Sequence, residues 1–348
     1  MAEQSLAVKY RPKTFEDVTE QGSIIQILRN QLENGKIKHV YLFSGGAGTG
    51  KTTCARIFAN EINNGKGMPV EIDAASNNSV ESVRTVIQQA VQPSLDGSTY
   101  RVYIYDECHM LSVSAWNAML KMLEEPPQTA IFIFCTTDPQ KIPKTILSRT
   151  ERYDFQRISQ QGIVDRLKWI IVEENQGKEI DDLLHFSYDA LEYIAKIADG
   201  GMRDAITLLE KCLAFDKDVS LDNVVKTVGT VDFKVFFDLT ESIVDEIPKE
   251  MLEIIEQVHS QGKDLKLFVR GYLDFVLDLC KFDTMRTLTY TKIPNFYEDG
   301  LKKMDNHYFD ICFQLLQKLL KLNSDVKWDS NPKALIEANL IDMCMRAE

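Results

Sequence analysis

The segment Gly45–Thr52, GGAGTGKT, constrains this chain more than any other eight residues. It satisfies the spacing GxxxxGK[ST] and lies between an apolar run, VYLFS, and a helical run, TTCARIFANEI. Glycines at these positions let backbone N–H groups turn inward around a phosphate at the start of a helix. Lys51 supplies a point charge for the outer phosphate oxygens, and the Thr52 hydroxyl suits a magnesium ion. Such a loop needs a strand entering it and a helix leaving it. The motif therefore predicts an α/β domain built on a parallel sheet.

The flanking pattern agrees. VYLFS, PVEIDAA, RVYIYDE, AIFIFCTTD and RYDF are five candidate strands between Val40 and Phe155, separated by helical stretches. In NNSVESVRTVIQQAV, Val80, Val83 and Ile87 share one helical face, and SVSAWNAMLKMLEE runs up to Pro126-Pro127. Near-continuous apolar strands alternating with helices indicate a sheet covered on both faces. After residue 158 no further strand is expected. QGIVDRLKWIIVEENQ, SYDALEYIAKIADGG, MRDAITLLEKCLAF and SLDNVVKTVG read as helices, and breaks recur near Pro248, Gly262, Pro294 and Pro332. The predicted organisation is an α/β domain over 1–158, a small helical domain over 159–229 and a helical domain over 230–348.

Charge is divided as unevenly as structure. The chain carries a net charge of −12, yet residues 1–158 hold 17 Lys and Arg against 17 Asp and Glu, while 159–348 hold 23 against 35. The N-terminal part can still present a locally basic face to a phosphate backbone. No apolar run approaches the ~20 residues that span a bilayer, and the N-terminus has no apolar segment of an export signal. The seven cysteines form no CxxC pair or Cys/His cluster, which argues against a zinc site or a disulfide framework and for a reduced cytoplasmic location with no membrane partner.

Other residues join the loop. RVYIYDE ends in Asp106 and Glu107, where one carboxylate can hold magnesium and the next can polarise an attacking water. AIFIFCTTD ends at the same expected sheet edge, where Thr137 could reach the terminal phosphate or the water. His109 reads as a helix-start or packing histidine. Cys54, Cys108 and Cys135 read as small buried hydrophobes, and Trp116 and Trp169 as members of apolar helix faces.

These pieces, in this order, resemble the clamp-loader group of AAA+ ATPases, and within it the bacterial gamma/tau subunits of DNA polymerase III. The resemblance is carried by KYRPKTFEDV, the glycine-rich loop, EIDAASNN, DECHMLS, LKMLEEPP, TTDPQKIPKTILSR, ADGGMRDA and KWDSNPKALIEANLIDMC, and so runs over nearly the whole chain. It implies an ATP-hydrolysing motor subunit that opens a ring-shaped sliding clamp and places it on primer-template DNA. Gly45, Gly46, Ala47, Gly48, Thr49, Gly50, Lys51, Thr52 and Thr53 would surround ATP, with Mg²⁺ on Thr52 and Asp106. Tyr10, Arg11, Pro12 and Val18 would line the adenine pocket. Thr137 would be sensor 1, and Arg203 sensor 2, reaching the phosphates from a helical lid. Arg149 would be an arginine finger facing the ATP of a neighbour. The implied assembly is a pentameric arc of copies of this chain with delta-like and delta-prime-like subunits, joined through a C-terminal collar.

The sequence also departs from the family pattern. Only NNGKGM stands where bacterial members usually carry a four-cysteine zinc module, so zinc is expected absent. Thr150 replaces the cysteine of the SRC triplet, and Gly46-Ala47 replaces bulkier residues. The chain stops where the collar should end, so the tau-type extension is expected to be missing. Arg84 and Lys121, with Ser112 and Ser114 at a helix start, are candidate contacts to DNA phosphates, against a reading as solvated surface. Two other functions fit less well. A branch-migration motor or helicase loader would need a DNA-binding appendage, and a non-catalytic scaffold would lose Lys51 or the acidic pair.

Overall fold

The computed structural model describes residues 4–92, 97–228 and 233–345. The boundary expected at 229/230 lies outside the described residues. The backbone gathers into two compact units, Met1–Gln176 with Ala198–Glu210, and Gly177–Ile197 with Lys211–Glu348.

In the first unit all five expected strands form: β1 Val40–Gly45, β2 Val70–Asp73, β3 Arg101–Asp106, β4 Ala130–Thr136 and β5 Glu151–Phe155. They make one parallel sheet in the order β2-β3-β4-β1-β5. Side chains alternate across a pleated strand, so the near-continuous apolar runs supply two cores at once. Leu42, Tyr103, Tyr105, Phe132 and Phe134 face α4 (Val80–Ala90) and α5 (Val113–Glu124), packing on Val83, Trp116 and Met119. Tyr41, Phe43, Ile104, Ile131 and Ile133 face α2 (Gly22–Glu33) and α3 (Lys51–Ile62), packing on Leu28, Cys54 and Phe58. Central strand β4 is buried throughout, and edge strand β2 is largely exposed.

Register decides where the chemistry can meet. Ser44 of β1 lies opposite Thr136 of β4, Gly45 opposite Phe155 of β5, and Tyr105 of β3 opposite Phe134 of β4. The carboxyl ends of β1, β3 and β4 therefore finish at one level, with the P-loop, Glu107 and Thr137 immediately beyond them. The unit also contains α1 (Leu6–Lys9), α6 (Lys144–Leu147), α7 (Gln160–Glu174) and the start of α9 (Met202–Phe215).

The second unit is mainly helical. Its core joins α11 (Phe233–Val244), α12 (Pro248–Ser260), α13 (Leu265–Met285), α15 (Asn306–Asp325) and α16 (Pro332–Cys344); in sequence α10 (Leu221–Val228) precedes them and α14 (Glu298–Leu301) falls between α13 and α15. The expectation that strands stop at residue 158 needs correction. His185–Phe186 and Asp218–Val219 pair as a two-stranded parallel ladder, too short to produce a periodic signal. Lys196 of α8 (Tyr188–Ala198) is buried in this unit. Its ammonium donates to the carbonyls of Ile293 and Leu288 and to Asn295 Oδ1, so a charge inside the fold is solvated by backbone oxygens.

Candidate nucleotide-binding site

The loop after β1 is shaped by glycines with two different duties. Gly48 and Gly50 take left-handed backbone, with φ of +69° and +99°, which a side chain at these positions would strain. Gly45 is required by packing: a Cβ there would lie 2.4 Å from the carbonyl oxygen of Phe155 on β5. The turn is closed by the Thr49 hydroxyl, which donates to the Gly46 carbonyl at 2.9 Å. Lys51 opens α3, 6 % exposed, and its ammonium donates to the carbonyls of Gly45 and Gly46 at 3.0 and 2.6 Å. Burial lowers its pKa from the ordinary 10.5, opposed by the nearby carboxylates of Glu107 and Asp106.

The next residue reaches the tip of β3. The Thr52 hydroxyl lies 3.0 and 3.1 Å from the two carboxylate oxygens of Asp106. This pairing of a hydroxyl and a carboxylate is the all-oxygen donor set that suits a hard divalent cation. Beyond Asp106 the chain kinks, and Glu107 adopts left-handed backbone at φ 45°, uncommon for a residue with a long side chain. Its carboxylate accepts from the Thr137 hydroxyl at 2.9 Å, which ties the tips of β3 and β4 together.

A cleft of about 500 Å³ opens above these groups. Its lining brings together the expected Tyr10, Arg11, Pro12 and Val18, residues Ala47 through Thr53, Asp106, Glu107 and Arg203. Gly45, Gly46 and Thr137 stand behind the lining: the first two accept from Lys51 through their carbonyls, and Thr137 donates to Glu107. Arg203 arrives because the turn before α9 docks on the loop: Met202 N donates to the Gly48 carbonyl at 3.0 Å, and a Cβ on Gly48 would lie 3.1 Å from Gly201 Cα. Its exposed guanidinium has no partner among the described residues.

Several lining residues escaped the sequence reading: Ile158, Arg166, Met202 and Ile206. Arg166 of α7 donates to the Tyr10 carbonyl at 3.0 Å and stacks 4.2 Å from the Trp169 ring centroid, while Tyr10 meets that ring edge-on at 5.5 Å. Trp169 therefore does not belong to a buried apolar face. It is 42 % exposed and braces the N-terminal strap, which Lys9 also ties to Glu174. No local signal announces a residue that acts through a strap 156 positions away.

Arg149 lies outside the cleft lining, its guanidinium on Glu124 and on the Thr145 carbonyl of its own chain. Thr150 caps the same turn by donating to the Leu147 carbonyl. Arg84 and Lys121 are exposed on α4 and α5, which pack side by side. Ser112 spends its hydroxyl on the N-cap of α5, accepting from Ala115 N at 3.1 Å, and Ser114 bonds to it at 3.0 Å. Cys54, Cys108 and Cys135 are fully buried, as expected, and burial pushes all three thiols up. Among the described residues no group of three or more His, Cys, Asp or Glu is placed to hold a metal, and no helix is long and apolar enough to cross a membrane.

A parallel sheet of this order, with a P-loop after β1, an acidic pair after β3 and a helical segment carrying Arg203 to the cleft, defines the AAA+ class. The branch-migration motor RuvB of Thermotoga maritima has the same fold, with a TM-score of 0.51 at 18 % identity over 77 % of this chain and 90 % of that one. At that identity the likeness concerns the fold alone.

The chain belongs to the DNA polymerase III gamma/tau family. A model described as DNA polymerase III, delta subunit, matches residues 20–78 and 68–159, and one for gamma and tau domain III matches 219–348. The gamma subunit of Buchnera aphidicola from Schizaphis graminum is 31 % identical over 97 % of both chains. The tau subunit of Bacillus subtilis is 35 % identical over 99 % of this chain, and that of Escherichia coli 36 % over 75 %. This chain spans 64 % and 43 % of those two proteins.

Proposed function

We propose that the protein is the ATP-hydrolysing subunit of a sliding-clamp loader, acting in DNA replication with a DNA polymerase III assembly. The observation that carries this reading is the single cleft joining a base-sized wall, Tyr10, Pro12 and Val18, to the P-loop, the acidic pair and Arg203. Family membership supplies the biological setting.

Hydrolysis needs positioning and charge stabilisation more than covalent help. The backbone N–H groups at the start of α3 and the Lys51 ammonium hold the β- and γ-phosphates, which means Lys51 leaves the carbonyls of Gly45 and Gly46. Arg203 adds charge from above. Thr52 and Asp106 would hold Mg²⁺, which would neutralise phosphate charge when bound. Glu107 takes a proton from the attacking water, and Thr137 steadies it. Arg149, outside its own cleft, serves the ATP of an adjacent subunit, so hydrolysis depends on assembly.

In this reading the partners are copies of the chain, delta-like and delta-prime-like subunits in a five-membered arc, the clamp and primer-template DNA. The first domain, 1–158, is the motor, 159–229 the lid and 230–348 the collar. Arg84 and Lys121, with the α5 start at Ser112 and Ser114, face DNA phosphates, and the protein works in the cytoplasm without zinc. The test is ATPase activity of the assembly with and without clamp and primed DNA. Stimulation by that combination is expected, and its absence would sink the proposal.

A further inference from the structure

The partners of Glu107 are arranged unequally about its two oxygens. Thr137 donates to Oε2 at 2.9 Å, and His109 Nδ1 lies 3.3 Å from the same Oε2. Oε1 has no partner among the described residues. His109 is the more buried of the pair, with 12 % of its side chain exposed against 41 % for Glu107. Its Nδ1 also lies 3.2 Å from the Thr136 hydroxyl, which accepts from Asp138 N at 3.0 Å. The ring is thus seated on the tip of β4, while its neighbour in sequence, Glu107, hangs from the tip of β3.

Chemistry assigns the tautomer. An ionised carboxylate only accepts, so a ring nitrogen facing it must carry the proton, because a bare lone pair there would be repelled. Nδ1 therefore carries hydrogen: its hydrogen-bond partner is the Thr136 hydroxyl at 3.2 Å, and the same N–H lies 3.3 Å from Oε2 as a favourable polar contact. Glu107, in left-handed backbone, immediately precedes the short helical turn Cys108–Met110 that carries His109.

We infer that His109 is a positioning residue for Glu107: with Thr137 it occupies Oε2 and leaves Oε1 as the oxygen that accepts the proton of the attacking water. A carboxylate that is free to rotate would spend much of its time with neither oxygen aligned, and small misplacements of reacting groups are costly. This inference rests on the proposed reading of Glu107 as the base.

The test uses the full chain in its assembly and compares His109→Ala, His109→Phe, His109→Gln, Glu107→Gln and the double variant Glu107→Gln/His109→Ala. Single-turnover hydrolysis, affinity for a fluorescent ATP analogue and Tm are measured for each. His109→Ala should slow hydrolysis roughly 10- to 100-fold while changing nucleotide affinity less than about twofold. His109→Phe, which keeps the ring's bulk without its donor, should match it, and His109→Gln should recover part of the rate. On the Glu107→Gln background, His109→Ala should change nothing further, because the group it acts through is gone. An equal further loss on that background would overturn the inference, as would a wild-type rate in His109→Phe. Full turnover by Glu107→Gln alone would instead remove the reading of Glu107 as the base, so the two failures are distinguishable.

Discussion

Arg149 is held by Glu124 of its own chain, outside the cleft that its guanidinium is proposed to serve in a neighbour. The pair is substantially exposed, 31 % and 48 % for the two side chains, so it contributes no more than about 1 kcal/mol. A triphosphate presented by an adjacent subunit competes easily with one solvated carboxylate. Arg149→Ala should leave nucleotide affinity intact and reduce turnover of the assembly by roughly 10³-fold or more. In mixed assemblies the variant should silence its neighbour's site and spare its own. Loss of binding with normal turnover per bound ATP would exclude action on another chain.

The Thr52–Asp106 contact predicts a magnesium phenotype. Asp106→Asn removes the charge but keeps the shape, so hydrolysis should require about tenfold more Mg²⁺ or beyond. Binding of nucleotide without the metal should change little. A magnesium titration of ATPase activity reads this directly, and an unchanged midpoint would exclude Asp106 as a metal partner.

Lys51 predicts a proton linkage. Burial lowers its pKa below 10.5, so between the two values the unfolded chain binds more protons than the folded one, and this group's contribution to stability rises with pH across that window. A bound triphosphate places negative charge beside the ammonium and raises the pKa again. Nucleotide binding just below pH 10.5 should therefore take up protons. Calorimetry in two buffers of different ionisation enthalpy should give different apparent enthalpies, and Lys51→Met should abolish the difference.

Two glycines of the loop, both at positive φ, should differ in what an added Cβ meets. Gly45→Ala drives a Cβ into the Phe155 carbonyl, and overpacking against backbone costs about 1–3 kcal/mol or more. Gly50→Ala meets nothing within 4 Å and suffers only backbone strain, about 1–2 kcal/mol. Thermal melts should rank Gly45→Ala below Gly50→Ala by several degrees. Equal Tm values would refute the packing role of Gly45.

Arg84 and Lys121 should act on DNA through charge alone. Each substitution to alanine should weaken DNA binding by the assembly uniformly across sequences and reduce the slope of log affinity against log salt by about 1. An unchanged slope would return both to the solvated surface.

Much of the sheet could be read from the sequence because strands and helices write their periods locally. Each of the five apolar runs became a strand, and the glycine spacing around Lys51 announced the loop. The two-residue ladder of His185–Phe186 with Asp218–Val219 left no such trace, because two residues carry no period. Trp169 was misread for a related reason: its helix is amphipathic, yet the ring lies at the margin, where Tyr10 and Arg166 meet it. His109 stands in a short helical turn, as a helix-start or packing histidine would, but nothing in DECHM tells that its ring will rest on the tip of β4.

What the sequence determined by itself was the kind of chemistry: a phosphate loop, an acidic strand end and the order of elements that makes a parallel sheet. These are properties of contiguous residues, and hydrogen-bond geometry and side-chain period link them directly to sequence. The tertiary structure alone decided which groups share an oxygen or a wall. Strand register brings Glu107 within reach of Thr137, a glycine pair lets the Arg203 turn close on the loop, and α7 braces the strap at Tyr10. Such contacts join residues 30 to 156 positions apart, and their energies depend on distance in space, to which a local pattern is blind.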